Sequence, residues 1–336
     1  HSARRSASAD RHHMKALVAR ELSGPAGLDY ADVDAPTADG DVVVVDVGAA
    51  GVSFPDLLLL RGEYQLRLEP PFIPGMEVAG VVRSAPEDSG FGPGQRVTAM
   101  AMLGGWAEQV AVPTANVTPT PEGLDDAESV ALMGNYQTMY FALARRGALR
   151  PGETVLVLGS AGGIGVASIQ IAKALGAKVI AMVHRPNAVE FVKSLGADVV
   201  LPLTDGWLQA VKDATDGRGA DLVVDPVGGE AFDDAVRALA IEGRLLVIGF
   251  AAGQGIPTVK VNRLLLRNVA VIGVGYGEYV NCVPGSQSVF ASGVGELVKA
   301  GLRPPAPVRF SLANGADALQ SLADGGVLGK VVLEPQ

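Results

Sequence analysis

Four closely spaced glycines, at positions 159, 162, 163 and 165, carry the clearest chemical signal in the sequence. They follow the apolar run 155–158 and precede a helical pattern and a second apolar run at 179–183, which predicts a strand–turn–helix–strand unit. Glycines in such a turn let backbone N–H groups and the positive helix end close on a pyrophosphate, which a β-carbon would obstruct. The stretch therefore predicts a dinucleotide site. The expected diphosphate contacts are Ala161, Gly162, Gly163 and Ile164.

The end of the second strand indicates which dinucleotide is bound. NAD sites usually place Asp or Glu about 20 residues on, where the carboxylate holds the ribose 2′-hydroxyl. Here no carboxylate follows the strand before Glu190. An acid would repel a 2′-phosphate, whereas the permanently charged guanidinium of Arg185 can bind one. We therefore predict NADP(H), held by Arg185 and His184; the alternative is that Arg185 is a solvated loop residue.

Length and composition set limits on function. The chain has 336 residues, which suits about two domains. No apolar run reaches the roughly 20 residues of a membrane helix. A net charge of −9 disfavours nonspecific binding to nucleic acid or to anionic membranes. The single cysteine, Cys282, excludes an intrachain disulfide and favours a reducing compartment, so we expect a cytoplasmic protein.

The residues before Met14 include three arginines and no large apolar side chain, so they are not a secretory signal. We expect residues 1–13 to be a leader or a cloning remnant. Without them, His184 is the only histidine that remains. One histidine and one cysteine cannot assemble a zinc site of the usual nitrogen and sulfur ligands. We therefore predict that the protein binds no metal.

The pattern of apolar runs predicts two domains of different class. Up to about residue 117, short strands are divided by Gly and Pro, which predicts a compact, barrel-like β domain. From residue 154 strands and helices alternate, which predicts a doubly wound parallel sheet of the Rossmann type. The tail is too short for a domain of its own. We assign residues 14–135 and 275–336 to a β-rich catalytic domain and residues 136–274 to the NADP(H)-binding domain.

Five segments together resemble one known group of enzymes. They are GVSFPD, PFIPGMEVAG, VLVLGSAGGIGVASIQIAKALGAKVI, VIGFAAG and GKVVL. In this order they are similar to the quinone oxidoreductase group, which includes zeta-crystallin, of the zinc-independent medium-chain dehydrogenase/reductases. The resemblance implies a GroES-like catalytic domain split around a Rossmann domain, use of NADPH, and dimers or tetramers. It also implies further cofactor contacts, at Thr138, Gly249, Phe250, Val274 and Lys330.

Departures from related enzymes concern the metal and the phosphate. Where zinc-dependent relatives have metal ligands, this chain has Ser53, Met76 and Asn135. A hydroxyl, a thioether and an amide do not make a tight Zn²⁺ site. Many quinone oxidoreductases also have a lysine at the position of Ala188. Without that lysine, we expect Arg185 and His184 to bind the 2′-phosphate.

Hydride transfer from NADPH requires mainly that an electrophilic carbon is held in position and that its carbonyl oxygen is polarised. Quinones meet this demand, because the product anion is delocalised, and we predict a quinone reductase. Reduction of the C=C bond of enals, enones or enoyl thioesters is an alternative with the same hydride step. An alternative of another class is a noncatalytic structural or RNA-binding role. The candidate side chains for the oxygen are Tyr64, which is otherwise a surface aromatic, Ser53, Asn135 and Tyr276.

The apolar run 269–274 is expected to be the last strand of the parallel sheet. It has few charges to protect an exposed edge, so it invites pairing with the same strand of a second copy. The expected partners are therefore a small quinone or activated alkene and a second chain in a homodimer. Neither nucleic acid nor a membrane is expected as a partner.

Overall fold

The computed structural model describes residues 12–336, so most of the predicted leader lies outside the described residues. These residues form two compact units. The first comprises the described chain up to Ala131 together with Pro307–Val327 and Val331–Gln336. The second comprises Leu132–Ala306 and Leu328–Lys330.

The described chain contains fifteen strands and eleven α-helices. The strands are β1 (His13–Ala19), β2 (Leu28–Asp34), β3 (Val42–Val52), β4 (Glu77–Ser84), β5 (Arg96–Met100), β6 (Gln109–Pro113), β7 (Val117–Pro119), β8 (Thr154–Val157), β9 (Lys178–Val183), β10 (Val199–Pro202), β11 (Ala220–Asp225), β12 (Leu239–Val247), β13 (Ala270–Gly273), β14 (Val308–Ser311) and β15 (Val331–Glu334). The helices are α1 (Phe54–Leu60), α2 (Asp126–Ala131), α3 (Gly134–Tyr140), α4 (Gly163–Ala174), α5 (Val189–Ser194), α6 (Trp207–Asp213), α7 (Ala231–Arg237), α8 (Val261–Arg267), α9 (Tyr276–Cys282), α10 (Ser286–Lys299) and α11 (Gly315–Ala323).

The first unit is built around β3, which pairs antiparallel with β4, β6 and β15. The sheet runs in the order β14-β15-β3-β4-β5-β7, and β1 and β2 form a separate antiparallel pair. Small residues near the end of β3 allow large side chains to approach its backbone. Trp106, which is fully buried, donates its indole N–H to the Gly51 carbonyl at 2.9 Å. This contact fixes the chain just before α1.

The second unit is a parallel sheet of six strands in the order β10-β9-β8-β11-β12-β13. Within this sheet, that order is third, second, first, fourth, fifth and sixth along the chain, which confirms the predicted doubly wound fold. All four residues of β8 are buried, as expected for a strand covered on both faces. The strand order reverses between β8 and β11, and ligands of this fold bind beside that point, outside the carboxyl ends of the strands.

Residues 275–306 belong to the second unit, although the sequence analysis assigned them to the catalytic domain. The reason is the packing of α10 on α3 and on its continuation. Phe290 lies edge-on to Phe141, with ring centroids 5.1 Å apart. Gly293 leaves room for the ring of Tyr140, which a β-carbon would overlap. The apolar side of α10 is thus buried within the second unit.

Arg244, on β12, joins the strand ends opposite the carboxyl edge. Its guanidinium donates to the carbonyls of Gly147 and Ala148 at 2.7 and 3.1 Å. It also donates to both carboxylate oxygens of Glu153, at 2.9 and 2.7 Å. Burial alone would raise the pKa of Glu153, but the hydrogen bonds from Arg244 and the Arg150 N–H lower it below its ordinary value.

We predict that Arg244→Ala lowers the free energy of unfolding by about 2–3 kcal/mol, because it removes charge-assisted hydrogen bonds from Glu153, whose side chain is partly buried. Urea unfolding at neutral pH measures the change. Since the folded pKa of Glu153 is depressed, the contribution is present above the unfolded pKa of about 4.3 and is lost as pH falls through the folded value. Arg237→Ala, which breaks an exposed pair with Asp234, is the control and should cost less than about 1 kcal/mol. Equal losses in the two variants would contradict the account.

Candidate functional site

The glycine turn lies at the carboxyl edge of the parallel sheet, between the end of β8 and the start of α4. Gly165, in the first turn of α4, lies so close to the Gly159 carbonyl that a β-carbon would overlap it. The first N–H groups of α4 have no acceptor within the helix. With the helix dipole, N–H groups at this end are suited to bind an anion, and residues 161–164, the expected diphosphate contacts, lie here. The Gly162 N–H itself donates to the Gly159 carbonyl at 3.2 Å.

Asn135, a candidate for polarising a substrate oxygen, lies over the start of α4. A β-carbon on Gly163 would overlap the amide nitrogen of Asn135. Thr138 follows three residues later, hence on the same face of α3, and is half-buried. The structure therefore brings Asn135 to the predicted diphosphate contacts.

Arg185 and His184 directly follow β9, the neighbour of β8. His184 is exposed and Arg185 half-buried, and neither forms an ion pair within residues 12–336. Glu190, the next acid along the chain, is in contact with Lys193 at 3.1 Å. The end of β9 therefore carries positive charge that no carboxylate of the described chain neutralises. Ala188, the third residue after Arg185, is buried.

The other predicted cofactor contacts also lie in the second unit. Gly249 and Phe250 follow β12, and the Phe250 side chain is exposed. Val274 follows β13, is buried, and donates its N–H to the Val247 carbonyl at 3.0 Å. Because parallel strands end at the same edge, these residues share the edge of the glycine turn. Lys330 is buried in the short segment before β15.

Ser53 acts as the N-cap of α1. Its hydroxyl and its backbone N–H both donate to one carboxylate oxygen of Asp56, at 2.6 and 2.8 Å. Asp56 is fully buried. The hydroxyl proton of Ser53 is thus used within a capping box, and its oxygen is left only as an acceptor.

Tyr64 lies in the same unit, beyond α1, and its side chain is half-buried. Burial and the negative charge of Asp56 raise the pKa of Tyr64. A phenol with a raised pKa stays protonated, so it is suited to donate a hydrogen bond rather than a proton. The structure thus brings Tyr64 near Asp56, which the Ser53 cap holds in place.

Tyr276 is buried, and its hydroxyl donates to the side-chain oxygen of Gln137 at 2.7 Å. Its ring lies 5.9 Å from that of Phe141 and 5.8 Å from that of Phe290, between centroids. Burial raises the pKa of Tyr276. Its hydroxyl is therefore satisfied within the second unit. Gln137 could not be predicted as the partner of Tyr276, because 139 residues separate the two and no local pattern links them.

Two residues of the first unit, Ser53 and Met76, stand where zinc-dependent relatives have metal ligands, and Ser53 is half-buried. Met76 is buried, and so is Glu77, whose side chain lies against Gly51. Within residues 12–336 no group of three His, Cys, Asp or Glu side chains is placed to hold a metal ion. No helix of the described chain is both long and apolar enough to span a membrane.

Family models match both units. The alcohol dehydrogenase GroES-like domain matches residues 39–122, which confirms the expected GroES-like fold. The zinc-binding dehydrogenase model matches residues 163–291. Among curated relatives, quinone oxidoreductase-like protein 2 of Bos taurus is 37% identical over 270 residues, which are 80% of this chain and 76% of the relative. Acryloyl-coenzyme A reductase of Sulfurisphaera tokodaii is 28% identical over an alignment of 354 positions, which covers 96% of this chain and 100% of the relative.

Solved structures match over nearly the whole chain. A probable oxidoreductase from Mycobacterium abscessus is 60% identical, with a TM-score of 0.90 over 97% of this chain and 100% of its own. The quinone oxidoreductase from Thermus thermophilus, whose complex with NADPH is also solved, is 35% identical. Its TM-score is 0.79, over 96% of this chain and 100% of its own.

The packing of Asn135 on Gly163 gives a test of the glycine turn. Gly163→Ala should weaken NADPH binding by at least about tenfold, because the β-carbon displaces Asn135 or the start of α4. Adding Asn135→Ala should restore part of the affinity by making room. Gly165→Ala should also lose affinity, but the overlapped atom there is the Gly159 carbonyl, so Asn135→Ala should give no recovery. Fluorescence titration measures all four variants, and wild-type affinity in Gly163→Ala would contradict this geometry.

Proposed function

Because the chain belongs to the quinone oxidoreductase group of the medium-chain dehydrogenase/reductase superfamily, we propose that it transfers a hydride from NADPH to a quinone. The quinone is inferred from the likeness to quinone oxidoreductases, and one observation of the structure carries the cofactor part of the proposal. The glycine turn is intact, and the next strand ends in Arg185 and His184 without a neutralising acid. This combination suits a dinucleotide with a 2′-phosphate.

The donor atoms of this chain do not suit a zinc ion. The Ser53 hydroxyl donates its proton to Asp56, so it would bind a cation only as a neutral oxygen. Met76 offers a thioether and Asn135 an amide, and tight zinc sites use thiolates, imidazoles and carboxylates. We therefore propose a zinc-independent enzyme, in which protein hydrogen bonds, rather than a metal, polarise the substrate.

Each part of the proposed mechanism is carried out by a particular chemical group of the protein or the cofactor. When bound, NADPH supplies the hydride. The first N–H groups of α4 hold the diphosphate and Arg185 holds the 2′-phosphate, which fixes the cofactor along the carboxyl edge. Tyr64 donates a hydrogen bond to the substrate oxygen on which negative charge develops. A reduced quinone is a phenolate that takes its proton from water afterwards, so no side chain has to act as a strong acid.

Reduction of an activated C=C bond is the second candidate, favoured by the likeness to acryloyl-coenzyme A reductase. It uses the same hydride step, and the charge develops on an enolate oxygen instead. A noncatalytic structural or RNA-binding role is disfavoured by the glycine turn and the positive end of β9, which such a role does not require. A cytoplasmic location stays a prediction.

The decisive assay is NADPH oxidation with a panel of quinones, enals, enones and enoyl thioesters. The proposal expects the highest kcat/KM with a quinone. Turnover confined to enals, enones or enoyl thioesters would replace it with the second candidate. No turnover with any member, despite NADPH binding, would favour the noncatalytic role.

Cofactor choice should depend on Arg185. We predict that NADPH binds at least about tenfold more tightly than NADH, a difference of about 1.4 kcal/mol, because Arg185 pairs with the 2′-phosphate. Arg185→Ala should remove most of this preference by weakening NADPH alone. Fluorescence titration of both cofactors tests this, and equal dissociation constants in the wild type would refute it.

Tyr64 should affect the two substrate classes differently. We predict that Tyr64→Phe lowers kcat/KM for an enone by about 10- to 100-fold, the effect of removing one hydrogen bond from the transition state. A quinone should be affected less, because its product anion is delocalised over the ring. Ser53→Ala is the control, and it should change both classes by the same factor because Ser53 only caps α1. If Tyr64→Phe changes neither substrate, Tyr64 is a surface aromatic without a role.

We also propose a homodimer. β13 is the edge strand of the parallel sheet, and α8, just before it, exposes Val261, Leu265 and Leu266 at 71%, 76% and 74%. Apolar side chains this exposed, beside an open strand edge, suit an interface between copies. Light scattering should give twice the 34.4 kDa chain mass, and Leu265→Lys with Leu266→Lys should give monomers. A wild-type monomer at micromolar concentration would contradict the dimer.

A further inference from the structure

Asp225 is a buried acid that the proposed mechanism does not use. It is the last residue of β11, beside the point where the strand order reverses, and it is 1% exposed. One carboxylate oxygen accepts the N–H groups of Val227 and Gly228, at 2.9 and 2.8 Å. The other oxygen is buried and has no hydrogen-bond partner in the described chain. Burial raises the pKa of Asp225, although the two N–H bonds act in the opposite direction.

The backbone around Asp225 joins two loops, the β11 loop (residues 226–229) and the β12 loop (residues 248–253). The Asp225 carbonyl accepts the N–H of Ile248, the first residue of the β12 loop, at 2.9 Å. Two further backbone hydrogen bonds of 3.0 Å join the loops, from Ala251 to Pro226 and from Ala252 to Val227. The carboxylate shapes the β11 loop, and that loop in turn supports the β12 loop.

The sheet order places these loops on the opposite side of the glycine turn from Arg185. Arg185 follows β9, and β9, β8, β11 and β12 are consecutive neighbours. The β11 loop also lies beside the turn, since a β-carbon added to Gly159 would lie 3.2 Å from the Val227 side chain. A dinucleotide with its diphosphate on the turn and its 2′-phosphate at Arg185 must extend its nicotinamide half over the β11 and β12 loops.

We infer that Asp225 is a positioning residue for the nicotinamide half of the cofactor, because its carboxylate fixes the two loops on which that half rests. Burying a carboxylate at a strand end costs free energy. That cost is accounted for if Asp225 is needed to hold the two loops in a closely defined geometry. The inference rests on the proposed function only in taking NADPH as the cofactor. It does not depend on whether the substrate is a quinone or an alkene.

The test compares NADPH with adenosine 2′,5′-bisphosphate, which carries the 2′-phosphate and adenine but no nicotinamide. Asp225→Ala should weaken NADPH binding by at least about tenfold and change the fragment's dissociation constant by less than about twofold. Asp225→Asn keeps the accepting oxygen for both N–H groups and should bind NADPH nearly as the wild type does. Calorimetry or fluorescence titration gives both constants without a substrate.

Asp221, at the other end of β11, is the matched control. Its carboxylate accepts the Thr154 N–H at 2.8 Å and pairs with Arg218, far from the loops. Asp221→Ala should lower Tm and leave both dissociation constants unchanged. If Asp225→Ala does not fold, Gly228→Ala replaces it, because a β-carbon there would lie 3.1 Å from the Phe250 ring and disturb the same loops.

Three results for the variants would overturn the inference: NADPH binding unchanged in the loop variants, equal losses for NADPH and the fragment, or an equal loss in Asp221→Ala. Each leaves the proposed function standing, because the wild type still binds NADPH in all of them. The inference would also be overturned if the wild type bound NADPH no more tightly than adenosine 2′,5′-bisphosphate, because the nicotinamide half would then add no affinity. A wild type that binds neither ligand would contradict the proposed function and the inference with it.

Discussion

The close approach of α4 to the end of β8 is the constraint on which the second unit depends. Gly165 meets the carbonyl of Gly159 at a distance that no side chain permits, and Gly163 meets Asn135 in the same way. This packing directs the first N–H groups of the helix along the carboxyl edge of the sheet. The proposed anion site therefore depends on these two close contacts at glycines, one with backbone and one with the Asn135 side chain, and the side chains around it would select which anion is bound.

The two edges of the parallel sheet hold their charges differently. Opposite the carboxyl edge, the guanidinium of Arg244 donates to Glu153 and to backbone carbonyls, so its charge stabilises the fold. At the carboxyl edge, Arg185 pairs with no acid of the described chain and Asp225 keeps one oxygen without a partner. A buried oxygen without a partner is costly in a folded protein, and its presence at the same edge as the unpaired Arg185 supports the proposal that the cofactor binds at this edge.

The sequence predicted the parallel sheet well because each buried strand there is a short apolar run between glycines. It predicted the glycine turn because backbone segments that approach each other closely require glycine, and glycines are visible in the sequence. Two elements have weak sequence signals: β2 contains three aspartates, which lower strand propensity, and α8 has consecutive leucines that do not follow a helical period. The sequence analysis also placed Ser53 and Tyr276 among the groups that polarise the substrate. The structure shows both hydroxyls donating within the protein, to Asp56 and Gln137, and long-range partners of this kind leave no local pattern.

The central claim is that the cofactor lies along the carboxyl edge, from the end of β9 across the glycine turn to the loops after β11 and β12. Amide hydrogen exchange with and without NADPH tests it most directly. The account predicts slower exchange on binding in residues 159–166, 184–188, 226–229 and 248–253, and no change in residues 147–154 at the opposite edge. Unchanged exchange in residues 159–166, or protection centred on residues 147–154, would contradict it.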